Sequence, residues 1–158
     1  MSNTLIITDE YFPTNRPMLS ELFNKEMNKN GFELTWIFRT KNRELNNKKV
    51  GWNGSPAFLY YYKSSVKNLF AQFFFSVKII FNLLSQRNYD SIIGIDKVNS
   101  AFLSTFFSKL FGKKMIFVSN GPVVEFYKYD VNKSSGLIWF LKKVRLFFTE
   151  ITFNLAFS

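Results

Sequence analysis

The sequence predicts an α/β protein with a Rossmann-like, mainly parallel sheet that carries helices on both faces. Short apolar segments of strand character alternate with longer segments in which apolar residues recur every three or four positions. Such alternation is typical of parallel sheets in which a crossover helix follows each strand. The apolar run at 90–95 is typical of a strand buried on both faces. We predict the element order β-α-β-β-α-β-α-β-α.

The first βαβ unit lies at the N-terminus. A strand over 5–7 leads through a polar loop over 9–16 into a helix over 17–30, and a second strand covers 34–38. The helix carries one apolar stripe that we expect to be buried, formed by Met18, Leu19, Leu22, Phe23 and Met27.

The loop over 9–16 is a candidate site, because ligands of open parallel sheets bind outside the carboxyl ends of the strands. Its candidate substrate-binding residues, which could also contact a phosphate, are Glu10, Tyr11, Asn15 and Arg16. The alternative is an ordinary surface loop with Phe12 tucked into the core. Asp9 and Glu10 are adjacent, so their side chains would point apart if the first strand continues through them.

The middle of the chain adds two strands and a long helix. Residues 40–56 are polar and predict a loop, 57–62 an aromatic strand, and 64–86 a helix, before the strand over 90–95. Asp96 follows that last strand. It either lines the same cleft as a substrate-binding residue or caps the next helix, where Asp is a preferred residue.

The C-terminal third continues the alternation. We predict a helix over 99–111, a strand over 114–118 and a helix over 136–156 with two apolar stripes, the second of which needs a further domain or a membrane as partner. The inward residues of the first of these helices are expected to be Ala101, Phe102, Leu103, Phe106, Phe107, Leu110 and Phe111. After the strand, the candidate substrate-binding residues Ser119, Asn120 and Gly121 either line the cleft or form a plain turn.

Composition limits the chemistry. Lys and Arg number 21 against 11 Asp and Glu, so the net charge of +10 favours an anionic partner such as a membrane surface, although coding bias towards Lys could produce the same charge. Cysteine and histidine are absent, which excludes disulfides and a Ser-His-Asp triad within this chain. No dinucleotide or P-loop motif is present. We expect no cofactor, no metal and no nucleic acid, since the aromatic residues mostly occupy apolar-stripe positions.

Four collinear segments resemble family 4 glycosyltransferases of the GT-B fold. Segment 5–13 (LIITDEYFP) looks like the family's first strand with its Tyr/Phe-Pro loop, and 30–37 (NGFELTWI) is similar to the family's G-H-E-V-T-V step. Segment 88–96 (NYDSIIGID) resembles its Y-D-V-I-H strand, and 110–118 (LFGKKMIFV) its G-K-P-L-V strand. Together they cover most of the chain.

The resemblance implies that 1–158 is a single Rossmann-like acceptor-binding domain and that the C-terminal donor-binding domain is absent. The implied function is transfer of a sugar from a nucleotide sugar to a saccharide or lipid-linked acceptor in bacterial surface polysaccharide synthesis, with no activity expected of this chain alone. Two departures stand out. Residues 14–17 hold no glycine where the family often has a Gly pair, and Asn120 lies near the position of a frequent histidine.

A different class of function stays open beside the transferase. The chain could be a non-enzymatic membrane-surface or scaffold protein that keeps the Rossmann-like shell, because its helices mix Phe with Lys and Arg. The short apolar run before Asp9 does not resemble a secretory signal. We therefore predict a cytoplasmic protein, with peripheral association at the inner face of the cell membrane as a further expectation.

Overall fold

The structure of the protein is a computed structural model, which describes residues 2–62, 69–95 and 98–118 and the single positions 143, 146, 147 and 150. The predicted helix over 136–156 therefore lies outside the described residues, apart from those four positions.

One sheet organises the described ranges. Its strands are β1 Ser2–Tyr11, β2 Phe32–Thr40, β3 Lys49–Trp52, β4 Ser55–Tyr61, β5 Ser91–Ile95 and β6 Lys114–Val118. They lie in the order β3-β4-β2-β1-β5-β6, with every neighbouring pair parallel except β3 and β4. The predicted α/β class with a mainly parallel sheet is confirmed. The chain places β2 and β4 on one side of β1 and then β5 and β6 on the other, so the strand order reverses between β1 and β5.

Helices cover both faces of this sheet, as predicted. The first helix, α1, is π-helical over Met18–Glu26 and ends in a short α-helical segment, Met27–Lys29, while α2 is Leu69–Gln86 and α3 is Val98–Phe111. Leu19 of α1 joins a buried cluster with Ile6 and Trp36 on one face. On the other face Ile80 of α2 and Phe107 of α3 share a second cluster with Ile7. Neighbouring residues of β1 thus serve opposite cores, as the alternation of a strand requires.

The predicted stripe of α1 is wrong at Leu22, whose side chain is 58% exposed. The buried residues of the π-helical segment are Leu19 and Asn24, five positions apart. That spacing matches the i to i+5 hydrogen bonding of a π-helix. In such a helix Leu22, three positions after Leu19, faces away from the sheet.

Asn24 joins α1 to two other parts of the fold. Its side-chain oxygen accepts a hydrogen bond from Trp36 Nε1 at 2.9 Å, and its Nδ2 donates to the carbonyl of Asn53 at 2.7 Å. The amide is 1% exposed, so both bonds form away from water. Burial of a polar group is tolerated when it is bonded in this way.

The prediction of a loop over 40–56 is wrong in its second half, where β3 and the start of β4 form a hairpin. A 3₁₀ turn covers Arg43–Leu45, and Trp52 pairs with Ser55 across a two-residue turn. The turn residues Asn53 and Gly54 have φ values of 47° and 84°. Positive φ at both positions suits the strand twist, and Asn-Gly is the preferred pair for such turns.

The inward face predicted for α3 is wrong at Phe106 and Leu110, which are 49% and 58% exposed. The residues that face the sheet in their place include three buried serines, Ser100, Ser104 and Ser108. The cause is close packing on β5, since a Cβ at Gly94 would lie 2.3 Å from Ser104 Oγ. At the positions that meet Gly94, the helix lies too near the strand for side chains larger than serine, whereas Phe107 still reaches the core beside them.

Candidate functional site

The carboxyl ends of β1, β2 and β4 bring a charged cluster together. β1 continues through Asp9 and Glu10, although its register with β2 shifts between Ile7 and Tyr11, and the two carboxylates pair with different arginines, Arg39 and Arg16. Asp9 is 2% exposed. Arg39, near the end of β2, is paired in register with Tyr60 of β4 and is 5% exposed. We call Asp9, Arg39 and Tyr60 the carboxyl-edge cluster.

Arg39 is the centre of this cluster. Its guanidinium forms an ion pair with Asp9, and its Nε donates a hydrogen bond to the Tyr60 hydroxyl at 2.9 Å. Tyr62 places its ring under the guanidinium, with its centroid 4.2 Å from the central carbon. Buried charges are stable only when they are paired and hydrogen-bonded, and each group of the cluster meets that condition.

The cluster fixes its own protonation states. Burial lowers the pKa of Arg39, but the neighbouring Tyr60 and Asp9 outweigh that effect and raise the pKa, so the guanidinium stays charged. Burial raises the pKa of Tyr60 strongly, and Asp9 raises it further, while Arg39 opposes the change. Tyr60 therefore stays neutral and holds its proton at any physiological pH.

Asp9 also contacts the first turn of α3. Its Oδ2 accepts a hydrogen bond from the Ser100 backbone N–H at 3.3 Å, and the Ser100 hydroxyl donates to the Ile95 carbonyl at 2.6 Å. This contact lies where the strand order reverses, between β1 and β5. A helix N-terminus at that point often binds a ligand anion. Here a carboxylate of the protein itself takes that position.

Two tyrosines form an outer layer over the cluster. The rings of Tyr11 and Tyr62 meet edge to face with centroids 6.1 Å apart, and Lys41 Nζ lies 5.0 Å from the Tyr11 centroid. Burial raises the pKa of Tyr11, against the effect of Arg39. Both rings are partly exposed. They offer a partly exposed aromatic surface, on which the raised pKa of Tyr11 keeps its hydroxyl protonated.

The four residues predicted to bind substrate in the first loop do not form one site. Glu10 and Arg16 form an ion pair at 2.6 Å, so each neutralises the other. Tyr11 belongs to the outer aromatic layer, Asn15 is exposed, and Phe12 packs its ring 6.0 Å from that of Phe38, centroid to centroid. The other four candidate residues lie outside the described residues: Asp96, Ser119, Asn120 and Gly121.

Sequence alone does not single out Arg39, Tyr60 or Tyr62. One signal was available for Arg39, because a cation that ends an apolar strand has to find a partner. That partner is Asp9, thirty positions earlier. No local pattern gives the length of β1 or its register with β2, and both are needed to bring the two charges together.

Neither a protein-family model nor a curated protein matches the sequence at a significant level. Within the described ranges, no helix has both the length and the apolar character needed to cross a bilayer. In that same part of the chain, no three acidic side chains lie close enough to hold a metal ion.

Proposed function

We propose that this domain binds the saccharide part of an acceptor at the carboxyl edge of its sheet, as the acceptor-binding part of a glycosyltransferase. The observation that carries the proposal is the partly exposed pair of rings, Tyr11 and Tyr62, which lies over the buried carboxyl-edge cluster. A tyrosine offers an apolar face for the C–H side of a sugar ring and a hydroxyl for its polar edge. The edge itself is where open parallel sheets bind ligands.

Both arginines near the rings are already paired with carboxylates, which favours a neutral sugar over a phosphate as their ligand. Arg39 is held by Asp9, and Arg16 by Glu10. The first turn of α3 already has the Asp9 carboxylate as its anion. A phosphate at this edge would have to compete with two carboxylates of the protein, whereas a sugar hydroxyl would not.

The transfer step needs a second component. In the family that the sequence resembles, a separate domain holds the nucleotide sugar and the acceptor domain positions the attacking hydroxyl. We propose the same division here, with the donor domain supplied in the same polypeptide or by another one. The reaction would serve bacterial surface polysaccharide synthesis on the cytoplasmic side of the membrane.

The test is an NMR titration of the full chain with glucose, galactose and N-acetylglucosamine and their disaccharides. We expect the ring protons of Tyr11 and Tyr62 to shift and Tyr11→Ala to weaken binding. Tyr61→Ala is the matched control, because Tyr61 ends β4 next to Tyr62 but does not join the cluster in which Tyr60 and Tyr62 pack. No ring shift with any sugar, or equal loss in both variants, would overturn the proposal.

A second function is favoured by a different observation, an exposed apolar face on α2 and α3. Its large exposed side chains are Phe74, Phe81, Phe106 and Leu110, and Lys78 and Lys109 are exposed on the same two helices. Phe81 approaches α3 through Phe111, with ring centroids 5.7 Å apart. Aromatic and basic side chains on one surface suit the interface of an anionic membrane, and the chain carries a net charge of +10.

Vesicle flotation separates this second function from the first. We expect binding to vesicles with phosphatidylglycerol and loss of binding when Phe74 and Phe106 are both replaced by Ser. Leu22→Ser is the control, because Leu22 is equally exposed but lies on α1, across the sheet. Equal binding of all three proteins to anionic vesicles would rule out this face as the contact surface.

A further inference from the structure

A depression of about 460 Å³ lies at the amino ends of the strands, at the opposite edge from the tyrosines. The starts of β1, β2 and β4, the end of α1 and the segment before β5 surround it. Its polar lining includes Asn3, Asn28, Glu33, Arg87 and Tyr89. The volume lies within the range of small-molecule sites. We call this depression the amino-edge pocket.

One buried polar group of the pocket is the hydroxyl of Tyr89. Tyr89 is 2% exposed, and its hydroxyl makes no hydrogen bond of ordinary length and angle within the described residues. Thr35 and Arg87 are its polar neighbours, and burial raises the pKa of Tyr89 against their effect. A buried hydroxyl without a partner is rare in folded proteins, and a bound ligand is one explanation for it.

The other polar groups divide into donors and acceptors. Asn28 uses its Nδ2 to bond Ser55 Oγ at 3.0 Å, and Asn3 uses its Nδ2 to bond the Asn88 carbonyl at 3.1 Å. Each bond uses one of the two N–H groups of its amide, so each amide keeps an oxygen acceptor and a second N–H donor. Arg87 adds a cation and Glu33 a carboxylate, and both side chains are exposed. The pocket thus presents acceptors and donors together.

This mixture suits one class of ligand. A phosphate would gain from Arg87 but would meet the carboxylate of Glu33, which repels it. A polyol donates to the amide and carboxylate oxygens and accepts from Arg87 and Tyr89. Phe32, Leu34 and Pro56 supply an apolar wall for its C–H groups. We infer that the amino-edge pocket binds a neutral, polyhydroxylated ligand the size of one or two sugar rings, separately from any acceptor at the carboxyl edge.

The experiment uses ¹⁵N-labelled full chain titrated with glucose, with maltose and with inorganic phosphate. We expect the sugars to shift the amides of Asn3, Asn88 and Tyr89. Tyr89→Phe should weaken that binding roughly three- to tenfold through the loss of one hydrogen bond. It should leave stability unchanged or slightly higher, because it removes an unbonded buried hydroxyl. Tyr61→Phe, at the other edge, should change nothing.

The outcomes at the two edges are distinguishable. Sugar shifts confined to Tyr11 and Tyr62 would support the carboxyl-edge proposal and overturn this one, and shifts confined to the pocket amides would do the reverse. Shifts of the pocket amides by phosphate but not by sugar would overturn the neutral ligand class. Equal sugar affinity of the Tyr89→Phe variant and the parent would overturn the role of its hydroxyl.

Discussion

The two edges of the sheet treat polar groups in opposite ways. At the carboxyl edge, Asp9 and Arg39 are almost completely buried and satisfy each other, with Tyr60 and the first turn of α3 completing their hydrogen bonds. At the amino edge, Asp90 is exposed, while the buried Tyr89 hydroxyl makes no hydrogen bond of ordinary geometry to the part of the chain that the structure describes. The charged groups of the carboxyl edge are therefore fully paired and support the aromatic surface of Tyr11 and Tyr62. The amino edge keeps polar groups that could still form hydrogen bonds with a ligand.

The carboxyl edge should give the largest loss of stability when its pairing is broken. Asp9→Asn leaves the Arg39 charge buried without its counter-ion, so we expect the free energy of unfolding to fall by about 3–5 kcal/mol. Urea unfolding followed by circular dichroism measures the change. Replacing Asp9 by Leu and Arg39 by Met together removes both charges and should recover much of the loss. A single-variant loss below about 1 kcal/mol would mean that the pair is effectively solvated.

The close packing of α3 on β5 should give the next largest effect on stability. Gly94→Ala places a Cβ 2.3 Å from Ser104 Oγ and 3.0 Å from the Ser100 carbonyl. We expect a loss of about 1–3 kcal/mol in unfolding free energy, as for other overpacked sites. The loss should shrink in a Ser104→Ala background, which removes the nearer atom. Gly51→Ala is the control, since nothing lies within 4 Å of its added Cβ, and an equal loss there would contradict the packing argument.

At the amino edge, we expect the charge of Asp90 to affect stability only at acid pH. The Asp90 carboxylate accepts a hydrogen bond from the Asn3 backbone N–H at 2.8 Å and another from the Ser2 hydroxyl at 3.1 Å. These two bonds lower the pKa of the carboxyl below its usual value of 3.8. The folded state then binds the proton less tightly than the unfolded state does. Its stabilising contribution is present above pH 3.8 and is lost as the pH falls through the lowered value.

Asp90→Asn should therefore flatten the pH dependence of the urea midpoint in that acid range and change little at neutral pH. Because Asp90 is exposed, we expect a smaller effect than at Asp9. An unchanged acid slope in the variant would show that the hydrogen bonds at Asp90 do not favour its charged form.

The Glu10–Arg16 pair should give the smallest effect, although it lies next to the carboxyl-edge cluster. Its side chains are 26% and 36% exposed, against 2% and 7% for Asp9 and Arg39. We expect Glu10→Gln to change the free energy of unfolding by about 0–1 kcal/mol. A loss as large as that of Asp9→Asn would mean that adjacency to the cluster, and not burial, sets the cost.

The sequence predicts the alternation of strands and helices well, because each element carries a periodic apolar pattern long enough to recognise. The hairpin turn between β3 and β4 is missed. Asn53-Gly54 is the strongest two-residue hairpin signal, yet the polar residues before it favoured a plain loop. It also misassigns Phe106 and Leu110, since the distance between α3 and β5 depends on Gly94, a residue in another element.

The sequence indicates at which edge of the sheet the candidate site lies, but it does not indicate which residues meet there. The predicted loop over 9–16 begins too early, because β1 continues to Tyr11, and Tyr11 lies in the aromatic layer. Arg39, Tyr60 and Tyr62 come from two other strands, and their meeting with Asp9 depends on strand register. Glu10 and Arg16 looked available for a ligand because sequence gives no sign that they pair with each other.

The Asn24 amide has a consequence for the way in which the molecule opens. It bonds both Trp36 in β2 and the backbone of the hairpin turn at Asn53, so α1 cannot leave the sheet without releasing the turn. Regions that share such a buried link exchange their amide protons as one cooperative unit. In deuterated water, the amides of α1 and of the β3–β4 hairpin should therefore lose protection at a common rate, and Asn24→Ala should make the two rates diverge.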